Sequence, residues 1–151
     1  MREAREQNMR RNEGYTLIEI MTVLAIIGIL AGIIIPNVIG WLPNYRLRSG
    51  AEEIQSALQL ARLGAIKQNT SSTVSFDTAN QTFLATVSGQ AIKRGEMPAG
   101  IRIDSITSPS SQIQFNSRGM ANESTGVIRV KNNQGKFKTI AVNIVGNSRI
   151  N

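Results

Sequence analysis

The sequence predicts an α+β protein: a long apolar N-terminal α-helix that continues into a globular domain, where one amphipathic helix packs on an antiparallel β-sheet. Three observations predict it. From Ile20 to Ile35 sixteen residues run with Thr22 as the one clearly polar member. Leu47, Ala51, Ile54, Leu58, Ala61 and Ala65 recur every three or four positions, the period of one helix face. From Thr73 onward apolar and polar residues alternate between clusters of Gly, Asn and Ser, the code of short strands and turns. A length of 151 residues leaves room for one domain of ordinary size and a short extra segment.

Extended by Tyr15 to Glu19 in front and Val38 to Trp41 behind, the apolar run reaches the roughly 20 residues that a helix needs to cross a hydrocarbon core. A buried core helix of that uniformity would need a larger protein around it. A secretory signal peptide has a shorter apolar region, about 7 to 15 residues, and ends at a small-x-small cleavage site. Pro36 to Trp41 offer no such site, so the segment reads as a retained membrane helix. Arg2, Arg5, Arg10 and Arg11 precede it, against Arg46 and Arg48 shortly after it, which puts the N-terminus in the cytoplasm and the bulk of the chain on the other side. Trp41 and Tyr45 read either as interfacial aromatics or as side chains packed on the globular domain.

Three details depart from a plain anchor. Glu19 lies near the start of the apolar stretch, where a carboxylate at full depth costs about 2.5 to 3.5 kcal/mol on insertion scales and therefore needs a partner. Pro36 removes one N–H and crowds the preceding turn, and Gly28 with Gly32 makes a G-x-x-x-G that allows close helix approach. A polar, charged 14-residue leader ends in Gly14, directly before an aromatic. With Gly14, Tyr15, Thr16, Leu17, Ile18 and Glu19 ahead of the apolar run, the segment resembles the class III signal of type IV pilins and type II secretion pseudopilins. Tyr15 stands where that family usually has Phe.

The resemblance implies that a prepilin peptidase cuts between Gly14 and Tyr15 and methylates the new N-terminus. Residues 1–14 are then a cleaved leader and 15–42 a transmembrane and filament-core helix, interrupted by Pro36. Glu19 becomes the fifth mature residue. In a filament its carboxylate can pair with the α-ammonium of a neighbouring subunit, each charge lowering the other's desolvation cost.

Residues 43–151 form the globular part, with a helix expected over about 44–68 and strands over about 73–150. Small Ala residues and Gly64 on or near the apolar stripe let strands approach closely. Val74 and Phe76, then Phe83, Ala85 and Val87, flank Asp77 to Gln81 as a hairpin. Further strands are expected at Ile101 to Ile106, Gln112 to Asn116, Val127 to Lys131, Phe137 to Asn143 and a tail from Ile144 to Ile150 broken by Gly146. The total is six or seven, and the four phenylalanines are expected in the core. This half resembles the FimT/GspH-type domain of minor pilins and pseudopilins in the hairpin that follows the helix and in three motif segments. These are Ala61, Arg62 and Ala65; Gln114, Phe115, Asn116 and Gly119; and the Gly146 region. The implied fold is pilin-like.

Composition disfavours catalysis. The chain has no Cys and no His, which removes thiol nucleophiles, disulfides, Cys-ligated zinc and the commonest general base. Asp77, Glu96, Asp104 and Glu123 are the acids after Thr73, and none is spaced as a metal-ligand pair. Ser108 to Ser111 lack the activator a serine nucleophile uses, and a polar loop around Pro109 accounts for them. No Gly-rich phosphate loop follows a strand. The expectation is no enzyme, no cofactor and no metal.

Basic residues are the informative remainder. Residues 46–151 hold 13 Lys and Arg against 6 Asp and Glu, so this half alone carries +7. Arg129, Lys131, Lys136, Lys138 and Arg149 fall on adjacent expected strands or their turn. They read first as a solvated face, and alternatively as a phosphate-binding strip for DNA. By resemblance, DNA-binding members of the group carry Gly-Arg-x-Arg near the C-terminus; here Gly146, Asn147, Ser148 and Arg149 keep only the second Arg.

The sequence is thus identified as a member of the type IV pilin and pseudopilin group. The resemblance implies a non-enzymatic subunit of a bacterial inner membrane, single-pass, its globular domain periplasmic. Its partners would be the prepilin peptidase and other pilins or pseudopilins, and its task filament assembly, priming or tip function in protein secretion. The alternative is a minor pilin that binds DNA non-specifically for uptake.

Overall fold

One helix, α1 (Leu17–Lys67), carries the first part of the chain, and eight strands follow: β1 (Ser72–Asp77), β2 (Thr82–Val87), β3 (Gln90–Glu96), β4 (Ile101–Thr107), β5 (Gln112–Phe115), β6 (Gly126–Asn132), β7 (Phe137–Val142) and β8 (Ser148–Ile150). The computed structural model describes residues 15–108, 111–122 and 126–151, without the side chains of Pro36 and Asn37. The expected leader, Gly14 included, lies outside the described residues, as do Pro109 and Glu123. Two units are present, one ending at Val38 and one spanning Ile39–Asn151.

In the first unit, Leu17–Ile35 is 19 residues long and apolar enough to cross a membrane. Its side chains face outward, Ile29 at 68% and Ile33 at 67% exposure among them. The helix does not stop at Pro36 or restart after Pro43: helical structure is continuous through both, against the expected interruption. Each proline deletes one donor from the ladder. The remaining i→i−4 bonds of a 51-residue helix carry it past them.

In the second unit the helix stripe behaves as its spacing predicts. Leu47, Ala51, Ile54, Leu58, Ala61 and Ala65 are all buried, together with Ala57. The stripe faces two four-stranded antiparallel sheets, ordered β3-β2-β1-β5 and β4-β6-β7-β8. Gly64 sits against β2, where a Cβ would lie 2.6 Å from Val87 Cγ2. On the other side Gln55 donates to the Ser148 carbonyl at 2.9 Å and so pins β8. One core results, containing Val74, Phe83 and Phe115 from the first sheet and Ile103, Ile128, Val130, Ile140 and Val142 from the second.

Strand β3 was not among the expected strands. It is an edge strand, exposed along most of its length. Its packing contact is a glycine: Gly95 pairs with Phe83, whose ring occupies the space a Cβ would need, with Cζ 2.2 Å from that position. The tail is mostly turn, with only Ser148–Ile150 as strand.

Three turns share one construction. Asn116, Asn132 and Asn143 each lie three residues before a glycine with positive φ, namely Gly119 (73°), Gly135 (85°) and Gly146 (82°). Each glycine N–H donates to the asparagine carbonyl, at 2.8, 3.1 and 2.8 Å. Each Asn Oδ1 accepts the N–H four residues on, at 3.1, 2.9 and 2.8 Å. The asparagine side chain supplies the loop's internal bonds and the glycine supplies the left-handed residue. The β1–β2 turn uses Asp77 instead. Its carboxylate accepts from the backbone and side chain of Asn80 and from Ala79 N–H, which holds its pKa below the ordinary aspartate value. That contribution is present at neutral pH and is lost as pH falls through the lowered pKa.

Candidate functional site

The start of α1 is a closed capping box. Thr16 precedes the first helical residue; its Oγ1 accepts the Glu19 N–H at 3.2 Å, and the Glu19 carboxylate accepts the Thr16 N–H at 3.4 Å. T-x-x-E at this position satisfies two of the orphan donors of a helix N-terminus reciprocally. Thr22, the other polar residue of the stretch, donates to the Ile18 carbonyl at 2.8 Å and so exposes no free donor. Tyr15 is exposed beside the box. Within its own chain Glu19 therefore has a partner, the first turn of its helix.

The basic residues of the second unit separate by strand parity. Along β6 the pattern alternates, with Ile128 and Val130 buried and Arg129 exposed. Residues directly opposite on neighbouring strands share a face. Arg102 on β4 opposes Lys131, and Lys131 opposes Phe137; Arg129 lies between Ser105 and Thr139; and Ala141 opposes Arg149. Arg102, Arg129, Lys131 and Arg149 thus share the outer face of the second sheet.

Of the five expected cations, this face holds Arg129, Lys131 and Arg149. Lys136 lies in the β6–β7 turn. Lys138 opposes Val130 and takes the parity of the buried face. Arg102 was missed; its alternation with Ile101 and Ile103, both buried, is the signal that places it. Phe137 is a second correction: it is 58% exposed, not core, and the Arg129 guanidinium lies 4.9 Å from its ring centroid. Phe137 is the first residue of its strand on the outward parity, so the apolar rule for sheet interiors does not apply to it.

The third feature is a junction built from the three motif segments. Arg62 on α1 donates through Nε to the Gly119 carbonyl at 3.0 Å and through Nη1 to Asn147 Oδ1 at 2.9 Å. A Cβ on Gly146 would meet the Gly119 carbonyl oxygen at 2.0 Å, and one on Gly119 would meet Ile66 Cδ1 at 2.5 Å. The Ala61-Arg62-x-x-Ala65 segment, the Gln114 to Gly119 stretch and the Gly146 region therefore close on one another. Asn147 holds the position where the first Arg of Gly-Arg-x-Arg is absent, and it serves this junction. Among the described residues no group of three or more acids, His or Cys is placed to hold a metal ion.

Comparison with known proteins matches residues 50–146 to the family described as type II transport protein GspH, and residues 9–35 to the prokaryotic N-terminal methylation motif. The type IV major pilin protein PilA of Myxococcus xanthus is 51% identical over 49 residues, 32% of this chain and 20% of that protein. The type II secretion system core protein G of Klebsiella pneumoniae is 50% identical over 32 residues, 21% of this chain and 23% of that protein. These matches span about a fifth of the length of those relatives. Among solved structures, the type IV minor pilin FimU of Pseudomonas aeruginosa has a TM-score of 0.60 at 18% identity, covering 72% of this chain and 90% of that one. The minor pseudopilin EpsH from the type 2 secretion system of Vibrio cholerae has a TM-score of 0.56 at 14% identity, covering 70% and 96%. At these identities the two structures share the fold.

Proposed function

We propose a role in filament assembly, from the premise that the chain belongs to the GspH family of type II transport proteins and is a minor pilin or pseudopilin of the type IV filament class. One observation carries the proposal: a methylation-motif segment, its apolar side chains turned outward, is joined in one chain to a GspH-family domain. In this reading the chain is a non-enzymatic subunit, held in the bacterial inner membrane by Leu17–Ile35 with its N-terminus cytoplasmic. A prepilin peptidase removes residues 1–14, and the subunit then joins other pilins or pseudopilins through α1 for assembly, priming or tip function in protein secretion.

Processing tests it. In cells with a working prepilin peptidase the isolated protein is expected to begin at Tyr15. Without the peptidase, or as Gly14→Arg, it should keep the leader; intact mass and N-terminal sequencing distinguish the two. A leader retained beside an active peptidase, or a start after Trp41, contradicts the reading.

A second reading, non-specific DNA binding for uptake, is favoured by the outer face that gathers Arg102, Arg129, Lys131 and Arg149. Contacts of cations to phosphates make affinity fall with salt, at about −0.9 in log–log slope per phosphate neutralised. Four cations predict a slope of roughly −3 to −4 with duplex DNA, and Arg129→Ala with Lys131→Ala should flatten it by about 2. Lys138→Ala should change little, because its parity is that of the buried face. Fluorescence anisotropy on the full chain in detergent measures this; binding indifferent to salt, or undetectable at low salt, removes the uptake reading.

A further inference from the structure

Around the Arg62 junction the surface is apolar. Leu63 and Ile66, one and four residues beyond Arg62 on α1, are 61% and 45% exposed. Ile66 packs beside Gly119, next to exposed Met120. Across the junction, Ile144 and Val145 are exposed in the turn before Gly146, and the Ile144 carbonyl accepts the Ala121 N–H at 3.0 Å. Arg62 itself is bound to Gly119 and Asn147, so it fixes these segments without offering its charge outward.

The rim is cationic and unpaired. Lys67 lies four residues from Leu63 and Arg118 precedes Gly119, and neither makes an ion pair; among the described residues the ion pair found is Arg48 with Glu52, elsewhere on α1. No Asp or Glu occurs in segments 60–69, 116–122 or 143–148, and Arg149 belongs to the outer face of the second sheet. Anionic membrane surfaces are captured by clusters of about four to eight cations. Two cations around five large apolar side chains have the composition of a protein interface, with an apolar centre and a polar rim.

We propose that this junction is the docking face for another subunit of the filament, one that presents an apolar segment rimmed by carboxylates to meet Lys67 and Arg118. The proposal rests on the filament-subunit reading above and adds to it a second contact, on the globular unit. It is tested in producing cells with the full chain carrying a photocrosslinking amino acid at Leu63 or at Val145, and separately at Ile29 in the apolar helix.

The expected result is an adduct from Leu63 and Val145 with another pilin or pseudopilin, reduced about tenfold by Lys67→Glu with Arg118→Glu, which set like charges against the partner's carboxylates, while the Ile29 adducts persist. Both charge reversals are on exposed side chains, so an unchanged unfolding midpoint certifies the fold. No protein adduct at either position, an adduct to lipid alone, or a protein adduct indifferent to the charge reversals overturns the docking face. If Ile29 also captures no filament subunit, the filament-subunit reading itself falls.

Discussion

Gly146→Ala is expected to destabilise the globular unit by about 3 kcal/mol or more. Two costs combine. The residue has φ of 82°, where a Cβ costs roughly 1 to 2 kcal/mol. The new methyl would also lie 2.0 Å from the Gly119 carbonyl oxygen and 2.9 Å from Arg62 Nε, and overpacking adds about 1 to 3 kcal/mol. The oxygen is main chain and has little room to retreat. Gly119 is locked in its own turn by its N–H to the Asn116 carbonyl at 2.8 Å, and Ile66 fills the space beside it. Moving it also breaks the Arg62 bond.

Gly135→Ala is the control. It has φ of 85° in the same kind of turn, with nothing within 4 Å of the new methyl, so only the first cost applies. Thermal unfolding of the full chain in detergent should therefore separate the two variants, at about 4 to 8 °C per kcal/mol for a unit of this size. Equal shifts would show that the collision at the junction contributes nothing.

How much of this was legible in the sequence depends on what each residue reports. The α1 stripe and the β1–β2 hairpin were legible because their apolar periodicity records burial on one face. Strand β3 was not, because a mostly exposed edge strand carries no apolar alternation, and its close packing under Phe83 is made by a glycine. Pro36 reads as an interruption in the sequence, although a long helix loses only one donor there. The basic cluster was legible as charge but not as a surface: parity puts Arg102 on it and turns Lys138 away, and neither follows from net charge. Asn and Gly were read as punctuation, although the repeated N-x-x-G spacing at Asn116, Asn132 and Asn143 already held the construction of three turns. The three motif segments around Arg62 are far apart in the chain, so only the fold could show that one guanidinium joins them.

Glu19 carries the second large effect. In its own chain the carboxylate caps the first turn of α1, and in the proposed filament it pairs with the N-terminal ammonium of a neighbouring subunit. Substitution separates these roles. Gln also serves in a capping box, so Glu19→Gln keeps the cap and removes the charge, whereas Glu19→Ala removes both. Either change takes a charge out of the apolar stretch and should leave membrane insertion intact or improved. Breaking a buried pair leaves the other charge uncompensated, at about 3 to 5 kcal/mol, so entry into the filament should fall at least about tenfold in both variants.

Assembly through Glu19 is read most sharply in the yield of adducts with other pilins or pseudopilins from a photocrosslinker at Ile29, in wild-type and Glu19→Gln chains at equal membrane content. A clear adduct is expected in the wild type, reduced about tenfold or more in Glu19→Gln. Absence of any pilin adduct in the wild type, or equal yields in the two chains, would contradict assembly through the charge of Glu19.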